Sequence, residues 1–160
     1  MSNPWQAFIA GLAAHLQADV PACSTALAEL ERVDVVAPRQ DDLYSLADAM
    51  VAKANGMGVM VTHQGGKNPD PQSKRLQMGG RISISVWADP GHPAQLLADD
   101  LIWLLADSAH GFVLASGPNN LTRRLAITEV GIVPDKRFLI WEAAGEVTRL
   151  ARPQPVPTEP

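Results

Sequence analysis

Residues Arg81 to Ala109, RISISVWADPGHPAQLLADDLIWLLADSA, constrain the fold more than any other part of the chain. Ile82, Ile84, Val86 and Ala88 alternate with Ser83, Ser85 and Trp87. Successive side chains of a strand point to opposite faces, so one face is apolar and the other largely polar. That pattern suits an antiparallel strand with one open face. Asp89, Pro90, Gly91 and Pro93 then force a turn. A helix follows from Pro93, with Leu97, Leu101, Leu104 and Leu105 on one side. Leu96, Ile102 and Trp103 broaden its apolar surface, so more than one neighbour is needed to cover it. Nothing in the stretch has the look of a catalyst.

The flanking segments extend this α+β pattern. Trp5, Phe8, Ile9, Leu12, Ala13 and Leu16 form a helical stripe after Asn3, a capping residue, and Pro4, suited to the first helical position. Pro21 is expected to stop that helix. Ser24 to Arg32 has the spacing of a short second helix, and Val33 to Val36 that of a short strand. Asp41 can cap the next helix, which carries Leu43, Leu46, Ala47, Met50, Val51 and Ala54 and ends at Asn55-Gly56. Gly58 to His63 reads as a short apolar strand.

Gln64 to Gly80 reads as a long loop, rich in glycine and proline, and such loops are usually functional or disordered. Gly111 breaks the helix that began at Pro93. Ser116 to Asn120 is a second loop, and Leu121 to Val130 a strand. Pro134-Asp135 marks a turn, and Lys136 to Leu150 reads as one long or bulged strand, with Gly145 as the bend. The expected fold is α+β, an antiparallel or mixed sheet of four to five strands with helices packed mainly on one face. Residues 1–151 form one domain, with weaker patterning over 1–40. Arg152 to Pro160 holds four prolines in nine residues and is expected to be an extended tail outside the core.

Composition narrows the function. One hundred and sixty residues, 46% of them hydrophobic, suit a single core. A net charge of −4 gives general nucleic-acid binding no electrostatic support. Cys23 is the one cysteine and has no internal disulfide partner, which fits a reducing cytoplasm or a particle assembled there. The start lacks the charged residues and unbroken apolar run of a signal peptide. Asp99, Asp100 and Asp107 interrupt the longest candidate for a membrane span.

The chain offers no residue pattern that points to catalysis. Cys23 has no thiol-activating motif around it. No serine sits in a nucleophile elbow. His15, His63, His92 and His110 are scattered, and no two share the spacing that would put both imidazoles on one helix face. His63 at a strand end and His92 beside a turn could meet in space, but two surface histidines at element ends are the favoured reading. Gly65-Gly66-Lys67 lacks the leading glycine and the Ser/Thr of a phosphate loop, holding Val61 and Asn68 there. Asp99 and Asp100 are adjacent and diverge around their helix, so they are not an acid/base pair. No catalytic residue, metal site or cofactor is expected.

An interface is better supported than an active site. Lys67, Lys74 and Arg75, with Arg81 beside them, make the one basic cluster, suited to an acidic neighbour. It has no interleaved aromatic residue to stack on bases. Arg123 and Arg124 point to opposite strand faces, so one can meet a partner. Trp87 lies opposite the isoleucine face of its strand, and Trp141 opposite Phe138 and Ile140. If not covered within the monomer, those indoles would form an interface patch. Lys67, Lys74, Arg75, Trp87, Arg123 and Trp141 are therefore the candidate subunit-interface residues.

In pattern and order the chain from Asp41 to Leu150 resembles the tail-terminator family of tailed bacteriophages, especially the type in Mu-like prophages. The matching segments are DDLYSLADAMVAKA, GVMVTHQGG, RISISVWA, HPAQLLADDLIWLLA, LTRRLAITEV and KRFLIWEAAGEVTRL. The resemblance implies a non-enzymatic virion protein of the neck, assembled in the host bacterial cytoplasm. It implies a hexameric ring that caps the tail-tube protein and meets a head-side connector protein, with sheath protein as a further neighbour in contractile tails. DNA would be passing cargo, and no membrane is involved. Other readings are a tail-completion, head-completion or tail-tube protein, or a small ligand-binding domain.

Overall fold

The computed structural model describes residues 4–23, 35–36, 43–53, 56–67, 72, 79–91, 97–116 and 121–149. Its elements are α1 (Pro4–Cys23), β1 (Val35–Val36), α2 (Leu43–Lys53), β2 (Met57–Lys67), β3 (Gly79–Ala88), α3 (Ala98–Ala109), β4 (Val113–Ser116), β5 (Leu121–Val133) and β6 (Leu139–Arg149). The strands form one sheet in the order β1-β2-β3-β6-β5-β4. Five of them pair antiparallel, and the two-residue β1 adds to β2 in parallel. The fold is α+β, with helices mainly on one face.

Alternation in β3 decides the layers. Ile82, Ile84, Val86 and Ala88 are fully buried in the main core beneath α1 and α3. Phe8, Leu12 and Leu16 from α1 and Leu101, Ile102 and Leu105 from α3 fill that core from above. Each such side chain withdrawn from water contributes on the order of 1.5–3 kcal/mol. The sheet curls around α1, which meets β2 on one side and β4 on the other. Leu114 of β4 approaches Gly11 so closely that a Cβ there would lie 2.9 Å from it.

A smaller core lies on the opposite face, where α2 brings Ala47 and Met50 onto Met60, Trp87, Phe138 and Ile140. Trp87, Tyr44 and Phe138 stack edge-on or tilted at 5.4–6.2 Å between ring centroids. Gly56 closes α2 with φ +88°, and its N–H donates to the Val51 carbonyl at 2.8 Å. A left-handed cap of this kind is what Asn55-Gly56 predicts.

Several sequence expectations need correction. The helix α1 continues through Pro21 to Cys23. A proline so near the end removes one N–H from a turn about to finish anyway. β2 does not stop at His63. After a register shift it runs on to Lys67, which pairs with Gly79, so the expected loop is shorter at both ends. β4 was not anticipated. It pairs with the first four residues of β5. The bend near Gly145 is a bulge on the neighbouring strand, where Thr128 is the extra residue between Ile127 and Glu129. The helix expected over 24–32, the Asp41 cap and the tail 152–160 lie outside the described residues.

Candidate subunit interface

β5 is half covered. β4 pairs only with its residues Leu121 to Arg124. Just past them, the Leu125 N–H donates to the Phe112 carbonyl at 2.9 Å and its carbonyl accepts the Gly111 N–H at 2.8 Å. The Ile127 N–H then donates to Nδ1 of His110 at 3.0 Å, so an imidazole takes over where β4 ends. From Glu129 to Val133, β5 has β6 on one side and, among the described residues, no strand on the other. An edge of this kind is a template for pairing with another chain unless something covers it.

The side chains around that edge are apolar. Trp103, on the outward face of α3, is 57% exposed, and Ile132 of β5 is 58% exposed. Ile132 neighbours Trp141 across the β5–β6 ladder, on the face that carries α1 and α3. Between α3 and β5 lies a groove of about 430 Å³, lined by Trp103, Ala106, Asp107, His110, Ile127 and Val130 among others. Asp99, Asp100 and Asp107 are exposed on α3. They stand three or four residues from Trp103, so carboxylates flank the indole above and below on the helix surface.

The sequence-derived interface residues are not gathered in one place. Trp87 is only 7% exposed, covered by Tyr44 and Phe138, and its indole N–H donates to Ser85 Oγ at 2.8 Å. The condition for a Trp87 patch is therefore not met. Trp141 is half-buried against the main core, on the other face of the sheet, so the two indoles share no surface. Arg123 is half-buried beside β4 and Arg124 is exposed. Lys67 ends β2, while Lys74 and Arg75 lie outside the described residues. Arg81 reaches across the sheet to Glu129 at 2.8 Å and Glu146 at 3.7 Å.

The sequence pattern groups Trp103 with the apolar surface of its helix, yet Asp99, Asp100 and Asp107, three or four residues away, already mark its side as the one that faces water.

Two polar clusters could be mistaken for reaction centres. Ser108 Oγ donates to Asp19 at 2.5 Å, with His15 Nε2 3.2 Å away. Nε2 also lies 3.1 Å from the Ser108 carbonyl oxygen, which can only accept. A ring nitrogen that donates there has no lone pair left to take a proton from the hydroxyl. The hydroxyl proton is already engaged by Asp19, so the group ties α1 to α3. The second cluster fastens α2 to the β5–β6 turn. Asp135 accepts the Tyr44 hydroxyl and the backbone N–H groups of Arg137 and Phe138, while Arg137 pairs with Asp48 at 2.6 Å. The Tyr44 hydrogen bond, followed by those N–H groups, holds the Asp135 carboxyl below its ordinary range. That same bond raises the Tyr44 phenol. A recess of about 500 Å³ beside this clasp is lined by Asp48, Val51, Gly56, Asp89, Arg137 and Phe138 among others. Its cation and the Asp48 carboxylate are spent on each other.

Burial lowers the basicity of His63. His92, its suggested companion, lies outside the described residues. Among the described residues no group of three His, Cys, Asp or Glu side chains could hold a metal ion, and no helix is long and apolar enough to cross a membrane.

No protein-family model matches the chain, and no curated protein matches it. Solved structures do. One is 13% identical and superposes with a TM-score of 0.50, covering 88% of this chain and 97% of its own. That likeness is one of fold.

Proposed function

We propose that this chain is a virion structural protein, a tail terminator whose copies close into a ring on the last layer of the tail tube and join it to the head-side connector. The observation that carries the reading is the Glu129–Val133 edge of β5, beside which no strand lies among the described residues, next to exposed Trp103 and Ile132. Solvent-facing tryptophan next to unpaired strand edge is costly for a protein that stays alone. It is useful to one that buries that surface against a copy of itself. A ring needs a heterologous contact, in which one patch meets a different patch on the next copy and the rotation closes. The resemblance of the segments from Asp41 to Leu150 to terminators supports a ring of six.

The polar clusters favour a structural role in the same way. Asp135 and Tyr44, Arg137 and Asp48, and Ser108 and Asp19 each join one element to another. A net charge of −4 suits a passage through which DNA slides without sticking.

The test is assembly with the tube protein. Native mass spectrometry and negative-stain images of the mixture should show one ring of this chain at the end of each tube. A chain that stays monomeric with tube protein present contradicts the proposal. Stacked rings along the tube would instead assign it as tube protein.

A further inference from the structure

We infer that the groove under Trp103 receives the proline-rich segment Arg152–Pro157 of a second copy of this chain, and that this exchange is the heterologous contact from which the proposed ring is built. The inference rests on the ring reading for its direction, copy to copy. Its chemistry stands on the groove and the segment themselves.

The groove offers what a proline-rich strand binds. A segment with prolines at alternate positions favours polyproline II, already extended and stiff, so little entropy is lost on docking. Such segments lie across exposed aromatic rings in shallow apolar grooves. Here Trp103 forms one wall, and Ile127 and Val130 help form the other. The segment reads Arg152-Pro153-Gln154-Pro155-Val156-Pro157, a cation followed by three alternate prolines. Asp107 supplies the matching anion at the groove wall. Asp107 and Trp103 are four residues apart on α3, roughly 6 Å along the helix. Arg152 and Pro155 are three residues apart, roughly 9 Å in polyproline II. With Arg152 against Asp107, the indole falls between Pro153 and Pro155.

Chain direction points to a neighbour's groove. β6 runs from Leu139, beside the Val133 end of β5, to Arg149, which pairs with Arg123. It is therefore heading away from Ile127 and Val130 as it ends. To reach its own groove the chain would have to reverse within residues 150–152. It would then run back over the four to seven residues of β5 between Arg123 and the groove, roughly 13–23 Å. A copy placed ahead of Arg149 needs no reversal, and the eight residues from 150 to 157 span up to about 25 Å.

Complementation between two full-length variants tests this. One is Trp103→Ala, with the groove spoiled and the tail intact. The other replaces Pro153, Pro155 and Pro157 by serine, leaving the groove intact. Sedimentation and native mass spectrometry over a wide concentration range should show the unaltered chain associating. Each variant alone should associate at least about tenfold more weakly, as loss of a central aromatic contact does. Mixed one to one they should form a heterodimer, because one sound groove and one sound tail remain. Arg152→Glu should weaken association too, and added salt should weaken that of the unaltered chain.

A serine-substituted variant that associates as well as the unaltered chain overturns the inference, as does a mixture that gives no heterodimer. If the serine-substituted variant still forms single rings on tube ends, the inference falls and the ring reading stands. If the mixture pairs but the unaltered chain caps no tube, the contact stands and the ring reading falls.

Discussion

Gly145 of β6 presses against the carbonyl of Ala126 on β5, so closely that a Cβ at 145 would lie 2.3 Å from that oxygen. Atoms do not approach that near. Gly145 sits opposite the bulge, where Thr128 is squeezed out of the ladder and its hydroxyl donates to the Ala144 carbonyl at 3.3 Å. Bulges re-aim the strand that carries them. This one comes between the part of β5 lined by β4 and the part that has no strand beside it among the described residues.

Gly145→Ala is therefore expected to destabilise the domain by about 3 kcal/mol, through forced movement of two strands. Gly131 is the control. A Cβ there meets nothing within 4 Å, so Gly131→Ala should change stability by no more than about 1 kcal/mol. Urea unfolding of both variants checks the contrast.

Two near neighbours on α3 should behave in opposite ways. Leu105 is fully buried, and Leu105→Ala should cost about 2–5 kcal/mol of folding stability. Trp103 is 57% exposed, and Trp103→Ala should leave the stability of the single chain within about 1 kcal/mol. Thermal unfolding under conditions that keep both variants monomeric separates the two effects. A Trp103→Ala variant as unstable as Leu105→Ala would mean that the indole belongs to the core.

The α2 clasp predicts an acid response. Asp135 is held below its ordinary value of 3.8, first by the Tyr44 hydroxyl and then by the Phe138 and Arg137 N–H groups. A carboxyl whose folded-state pKa is depressed stabilises the fold above its unfolded value and loses that contribution as pH falls through the folded value. The stability difference between the native chain and Asp135→Ala should be constant near neutrality and shrink below about pH 4. Tyr44→Phe should move the Asp135 titration upward, towards the ordinary value. Carboxylate chemical shifts followed by NMR would record it, and an unmoved titration would contradict the assigned cause.

How much of this could be read beforehand differs from element to element. Arg81 to Ala88 was legible because strict alternation leaves one phase, and Ile82, Ile84 and Val86 are all in the main core. Gly56 was legible because the end of a helix asks for a left-handed residue. The β2 extension through Gln64, Gly65 and Gly66 was not, since glycines that allow a register shift look like loop. β4 escaped because four residues, Val113 to Ser116, carry too little periodicity to stand out.

The fate of the tryptophans was settled by distant partners. Trp87 was assigned to the less apolar face of its strand, yet α2 and Phe138 cover it there. Trp141 points away from Phe138 and Ile140 as alternation requires, and that direction leads into the main core. Neither outcome is written in the local pattern. The same is true of the candidate interface, which exists because β4 begins only at Val113, opposite Arg124, while β5 continues to Val133.

The most direct measurement is a reconstruction of the particle that contains this chain. The account predicts a single ring of six copies between the last tube layer and the head-side connector, with Trp103 and the Glu129–Val133 edge buried between adjacent copies. Density for this chain repeated along the tube, or a ring in which Trp103 and that edge face solvent, would contradict it.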